Sequence, residues 1–127
     1  MRCLLDTHVV LWTAENSPML TDKVKAVILD SSIEKYVSIA SVWEVAIKLG
    51  SRKLCLDGGL PEFFRIIDEN GFMTLSVERE HLQQIPFLPF HHKDPFDRLL
   101  VATANTENMT LVTIDENIHL YDVPCLW

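Results

Sequence analysis

Residues 94–115 read Asp94-Pro-Phe-Asp97-Arg-Leu-Leu-Val-Ala-Thr-Ala-Asn-Thr-Glu107-Asn-Met-Thr-Leu-Val-Thr113-Ile-Asp115. An aspartate followed by proline is a helix start. The carboxylate accepts amide protons that the first turn leaves unpaired, and proline occupies the position whose N–H has no partner anyway. The spacing predicts a helix from Pro95 to about Glu107 and then a strand over Met109 to Thr113. The helix is apolar nearly all round from Leu99 to Ala104, and Asp97 falls on the wheel beside Leu100, Val101 and Ala104. A carboxylate on a buried face costs ~2–5 kcal/mol of desolvation unless something pairs with it. Arg98 points about 100° away and is not an obvious partner. Asp97 therefore reads as an acid retained for chemistry.

The same alternation extends outward. Arg2 to Leu5 is a short apolar strand ending at Asp6, and Leu20, Val24, Val27 and Ile28 share one helix face. A strand over Tyr36 to Ile39 leads to Ser41 and a helix from Val42 to about Leu49, with Gly50 placed to end it in the left-handed region. Gly58 and Gly59 mark a loop, and Pro61 suits a first helical turn. Phe63, Phe64 and Ile67 are expected to face inward before Gly71 stops that helix. Met73, Leu75 and Val77 alternate with Thr74 and Ser76 as a third strand. A short helix near Glu80 to Ile85 precedes the proline-rich stretch Pro86 to Pro95. Val123 to Leu126 is a possible last strand, which Pro124 confines to an edge. Strands alternating with helices imply an α/β fold, a parallel sheet covered on both faces.

With 127 residues, 48% of them hydrophobic, the chain suits a single domain with its own core. Cys3, Cys55 and Cys125 are scattered and form no C-x-x-C pair, so neither a disulfide framework nor a zinc ribbon is indicated. Asp6, Thr7 and His8 interrupt the apolar N-terminal run, and no stretch reaches the ~20 apolar residues of a membrane span. A cytoplasmic protein without a membrane segment is the expectation. The net charge of −7 argues against a protein that grips nucleic acid by neutralising phosphates over a broad surface. Only local groups such as Arg52 with Lys53 supply that kind of contact.

In an open α/β sheet, ligands bind beyond the carboxyl ends of the strands, where helices begin. Asp6 and Asp115 follow strands, and Glu44 and Asp97 lie in the first turns of helices, so all four are expected on one rim. Each has a plainer explanation when taken singly. Ser41-Val42-Trp43-Glu44 is a capping box, Glu44 can pair with Lys48, and Asp6 and Asp115 suit turns. Together, four like charges in one cleft need a cation. Hard carboxylate oxygens suit Mg2+ or Mn2+, which hold phosphate and activate water for in-line attack at phosphorus. No nucleophilic triad, G-x-G-x-x-G or Walker pattern competes. His91-His92-Lys93-Asp94 reads as an ordinary loop rather than a transition-metal site, and His8 as a packed histidine rather than a base. Trp12, Trp43, Phe63, Phe64 and Phe72 read as core.

Leu4-Leu5-Asp6-Thr7-His8, Ser41-Val42-Trp43-Glu44, His92-Lys93-Asp94-Pro95-Phe96-Asp97-Arg98-Leu99-Leu100 and Leu111-Val112-Thr113-Ile114-Asp115, in this order and spacing, resemble a PIN-domain protein of the VapC toxin type. The resemblance runs from about residue 3 to Trp127. It implies a three-layer PIN-like fold over residues 1–127, with a central parallel sheet of about five strands. It also implies a metal-dependent endoribonuclease using Mg2+ or Mn2+ on an RNA substrate, with tRNA a candidate. The metal-binding acids would be Asp6, Glu44, Asp97 and Asp115. Thr113 would support the site as a strand-end hydroxyl, and Asp94 would be a cap, an additional acid behind the metal, or both. A VapB-like antitoxin and homodimerisation are further implications, with an antitoxin arginine entering the cleft in place of the metal. A receiver-like signalling domain is the rival of similar size, but it calls for paired acids after the first strand and a lysine after the last. A protein-interaction module whose acids only cap helices is a third reading.

Overall fold

The computed structural model describes residues 1–127. The chain runs β1 (Arg2–Leu5), α1 (Thr7–Glu15), α2 (Asp22–Leu29), β2 (Glu34–Ser38), α3 (Ile39–Gly50), α4 (Gly59–Glu69), β3 (Met73–Leu75), α5 (Arg79–Gln84), α6 (Pro95–Glu107), β4 (Thr110–Val112) and β5 (Cys125–Leu126). The strands form one sheet in the order β3-β2-β1-β4-β5, and every pairing is parallel. This is the three-layer α/β architecture the alternating pattern predicts.

The central strand shows why both faces are covered. Side chains alternate along a strand, so Cys3 and Leu5 join the core built with Val9, Val10, Val45, Phe63 and Ile67 from α1, α3 and α4. Leu4 points the other way, into a core with Leu100, Val101 and Ala104 of α6 and with Leu111. Leu4 pairs with Leu111 and Leu5 with Val112 in register. From β1 the chain builds outward through β2 and β3, then returns across the sheet to β4 and β5. The strand order therefore reverses between β1 and β4, the place where a crevice opens above the carboxyl ends. Asp6 lies there, its backbone N–H donating to the Val112 carbonyl at 3.0 Å.

Several local expectations are corrected. The sequence reading assigned no helix to Thr7–Glu15, yet α1 follows β1 directly, with the Asp6 carboxylate accepting from the Thr7 N–H as its cap. α3 begins three residues before Val42 and is capped by Ser38, whose hydroxyl accepts from the Ala40 N–H. Ser41 is buried inside the helix with its hydroxyl unpartnered, so no capping box joins it to Glu44. Gly50 is the last helical residue, and the left-handed residue is Arg52 (φ 61°). Phe64 and Trp43 are 42% and 63% exposed rather than core. The Asp94–Pro95 start is as expected: the Asp94 carboxylate accepts from the N–H groups of Phe96 and Asp97.

Candidate active site

The switch point brings together Asp6, Glu44, Asp94, Asp97 and Asp115, which line one cavity of about 330 Å³ with His8, Lys48, His92 and Ile114. Asp6 follows β1, Glu44 lies in α3, Asp94 and Asp97 start α6, and Asp115 follows β4. Asp6, at the end of β1, is buried. One of its oxygens accepts from the Thr7 N–H at 2.7 Å, and the other accepts from the Thr113 hydroxyl at 2.7 Å. The Thr113 oxygen in turn accepts from the Asp115 N–H at 3.1 Å, which leaves its own proton for Asp6. Thr113 thus links the ends of β1 and β4. Burial pushes the Asp6 carboxyl above its ordinary pKa, against the hydrogen bonds from Thr113 and Thr7.

Glu44 sits in α3 after the first turn and is buried. Its Oε1 accepts from the Thr7 hydroxyl at 2.7 Å, and its Oε2 accepts from Lys48 Nζ at 2.9 Å, one turn on. That bond, chiefly, raises the Lys48 pKa. Thr7 therefore serves two acids, with its N–H on Asp6 and its hydroxyl on Glu44. Sequence reasoning assigned Thr7 no role, although its place directly after a strand-end acid was the available signal.

Asp97 lies on the first turn of α6. Its carboxyl is pushed up to about 8, first by desolvation and then by the charges of Asp6, Asp94, Asp115 and Glu44. The plain-loop reading of His92 is also corrected. Its Nε2 stands 2.9 Å from Asp97 Oδ2 and 3.0 Å from Asp115 Oδ2. Its Nδ1 accepts from the Asp94 N–H at 3.0 Å, so the proton is assigned to Nε2, which donates toward both carboxylates. Asp115 Oδ1 accepts from the Asn117 N–H at 2.8 Å. Arg98 stays out of the cleft. Its buried guanidinium donates to the carbonyls of Pro89 (2.8 Å), Ile85 and Leu88 and to the Tyr121 hydroxyl, with Phe90 stacked at 4.2 Å. The loop that carries His92 is thereby tied down.

The donor set fits a hard divalent cation. Carboxylate oxygens converge from four elements, Lys48 is the only lysine or arginine lining the cavity, and burial, with the charges of the neighbouring acids added to it, raises the Asp97 pKa. Ligand atoms of His92, Asp97 and Asp115 lie within 4.8 Å of one another. In the tautomer its neighbours impose, His92 is a donor, and the carboxylate oxygens are the groups that could hold a cation.

Comparison with solved structures places the fold. VapBC2 from Rickettsia felis, bound to a DNA fragment from their promoter, superposes with a TM-score of 0.75 at 14% identity over 100% of this chain and 99% of that chain. A toxin-antitoxin complex from Klebsiella pneumoniae gives 0.66 at 13% identity over 98% and 96%. FitAcB from Neisseria gonorrhoeae gives 0.64 at 21% identity over 98% and 96%. No curated protein matches the sequence. The family described as PIN domain matches residues 3–124. Because that match takes in nearly the whole chain and every acid of the cleft from Asp6 to Asp115, the chain belongs to the PIN domain family.

Proposed function

We propose that this protein is a Mg2+- or Mn2+-dependent endoribonuclease and the toxin of a VapBC-type pair, formed by residues 1–127 as one domain and working in the cytoplasm. The observation that carries this is the cluster of Asp6, Glu44, Asp97 and Asp115 in one cavity, with Asp97 raised to about 8 by burial and by its neighbours' charge. No helix is long and apolar enough to cross a membrane.

Asp6, Glu44, Asp97 and Asp115 would hold the ion, which when bound supplies an activated water and neutralises charge at the phosphate. The protein's own residues set the stage. Thr113 and Thr7 fix both oxygens of Asp6. Thr7 and Lys48 fix those of Glu44. Asp94 caps α6 and so presents Asp97 at the helix start, and His92 spans Asp97 and Asp115. RNA as substrate, with tRNA a candidate, rests on the resemblance to VapC-type toxins. A VapB-like antitoxin is supported by the complexes named above, and an arginine from it fits the cleft as a bidentate partner for carboxylates. A homodimer completes the assembly.

The test is cleavage of a mixed tRNA pool by antitoxin-free protein, with Mg2+ or Mn2+ and with EDTA, beside Asp97→Asn. The expected result is metal-dependent cutting that the folded variant lacks. No cutting by wild-type protein with confirmed folding and bound metal would refute the reading.

A further inference from the structure

Beyond the acids, the cleft continues into a second cavity of about 280 Å³, sharing His8 and Lys48 with the first, walled by Leu11, Val45 and Leu54, and reached by Lys53. Leu54 also lines a third cavity, where Arg52 stands. Leading away from the acids, the cations thus come in the order Lys48, Lys53, Arg52. We propose that this trough is the track for the single-stranded RNA next to the bond being cut, with Lys53 and Arg52 on its phosphates and His8 against a base. The inference rests on the nuclease reading and adds where the substrate lies.

Charge supports it. The protein carries −7 overall with eleven lysines and arginines, and several are already engaged. Arg2 pairs with Glu34 and Glu107, and Arg65 with Glu62 and Glu69. Lys35 donates to three carbonyls at the end of α2, and Arg98 is buried. Arg52 and Lys53 are exposed and neither has an acidic partner. A phosphate chain approaching four carboxylates is repelled unless cations flank the approach. The apolar wall suits ribose and base. His8 is exposed and is backed by Trp12 at 5.5 Å between ring centroids, an arrangement on which a base can stack.

The backbone supports it too. After α3 the chain folds back, and the N–H groups of Lys53 and Leu54 both donate to the Lys48 carbonyl, at 2.9 and 3.1 Å. This turn holds Arg52 in the left-handed region at φ 61°, a conformation that costs an L-residue about 1–2 kcal/mol. A glycine at this position would adopt it without that cost, yet the chain has an arginine there and sets Lys53 beside the cleft.

The test is anisotropy of a labelled short single-stranded RNA, in EDTA, on the cleavage-deficient Asp97→Asn protein, over a range of salt. Adding Lys53→Ala is expected to weaken binding several-fold and to flatten the log–log salt slope by about 0.7, the share of one phosphate contact. Arg52→Asn, which tolerates the left-handed backbone, should act likewise, and His8→Ala should weaken binding without changing the slope. Lys23→Ala, an exposed lysine on α2, removes the same charge elsewhere and should change little. In the wild-type background Lys53→Ala should raise KM and leave kcat. The proposal is overturned if Lys53→Ala behaves as Lys23→Ala, if no variant binds RNA, or if polyglutamate displaces the RNA as well as unlabelled RNA does, which would mark an acidic polypeptide as the occupant. Loss of binding at Lys53 with no cleavage by wild-type protein would sink the nuclease reading and leave the track standing.

Discussion

Replacing Asp97 with asparagine should stabilise the metal-free protein while removing its response to metal. The Asp97 carboxyl is raised from an ordinary 3.8 to about 8, and its side chain is 15% exposed. Between these values the folded state keeps a proton that the unfolded state releases, so stability falls as pH rises through the window and stays at its lower level above it. At pH 7 the gap from 3.8 is worth about 4 kcal/mol at ~1.4 kcal/mol per unit, and water reaching the cleft reduces this to about 2–4. At pH 4.5 the same arithmetic leaves about 1 kcal/mol. Asparagine keeps an oxygen for the His92 N–H and carries no proton to lose. Urea denaturation in EDTA at pH 4.5, 6, 7 and 8 should therefore show the variant increasingly more stable than wild type as pH rises, at unchanged m-value. Adding Mn2+ at about a hundred times its dissociation constant should return ~2.7 kcal/mol to wild type and much less to the variant. A variant no more stable than wild type at pH 7 and 8 in EDTA would show that the carboxylate is compensated without metal.

Thr113→Val removes the donor to Asp6 and the acceptor for the Asp115 N–H; stability should drop by about 1–3 kcal/mol in urea denaturation and cation affinity should fall by calorimetry, with Thr113→Ser restoring both. Arg98→Lys cannot reproduce the planar fork that reaches Pro89, Ile85, Leu88 and Tyr121. Hydrogen exchange should then quicken over 85–93, and cation affinity should fall because His92 loses its fixed place; unchanged exchange there would show that Arg98 does not hold the loop.

Much of the site was legible because local chemistry marks it. Asp94 and Pro95 announce a helix start by hydrogen-bond satisfaction within a few residues, whatever the rest of the chain does. Asp6 and Asp115 sit just past apolar strands, and the parallel topology puts such positions on one rim. Asp97 stood out as an acid on an apolar helix face. The pairing of Glu44 with Lys48 follows from their spacing along one helix. Local signals misled where two neighbouring residues offered the same function. Ser38 and Ser41 can both cap a helix, and which one does so depended on where β2 stops pairing with β1 and β3.

The alternation of strands and helices, and the four acids that the fold gathers in one cavity, are readable from periodicity, capping and charge over short spans. That α1 follows β1 directly is set by tertiary packing, because Val9, Val10 and Leu11 suit a strand as well as a helix until the core takes one face of them. Only the tertiary structure brought His92 to Asp97 and Asp115, through a loop fixed by a buried arginine and a tyrosine 23 residues further along the chain. Such a contact forms when closing the loop is repaid by several hydrogen bonds at once, and no local pattern records which distant carbonyls and hydroxyls will supply them.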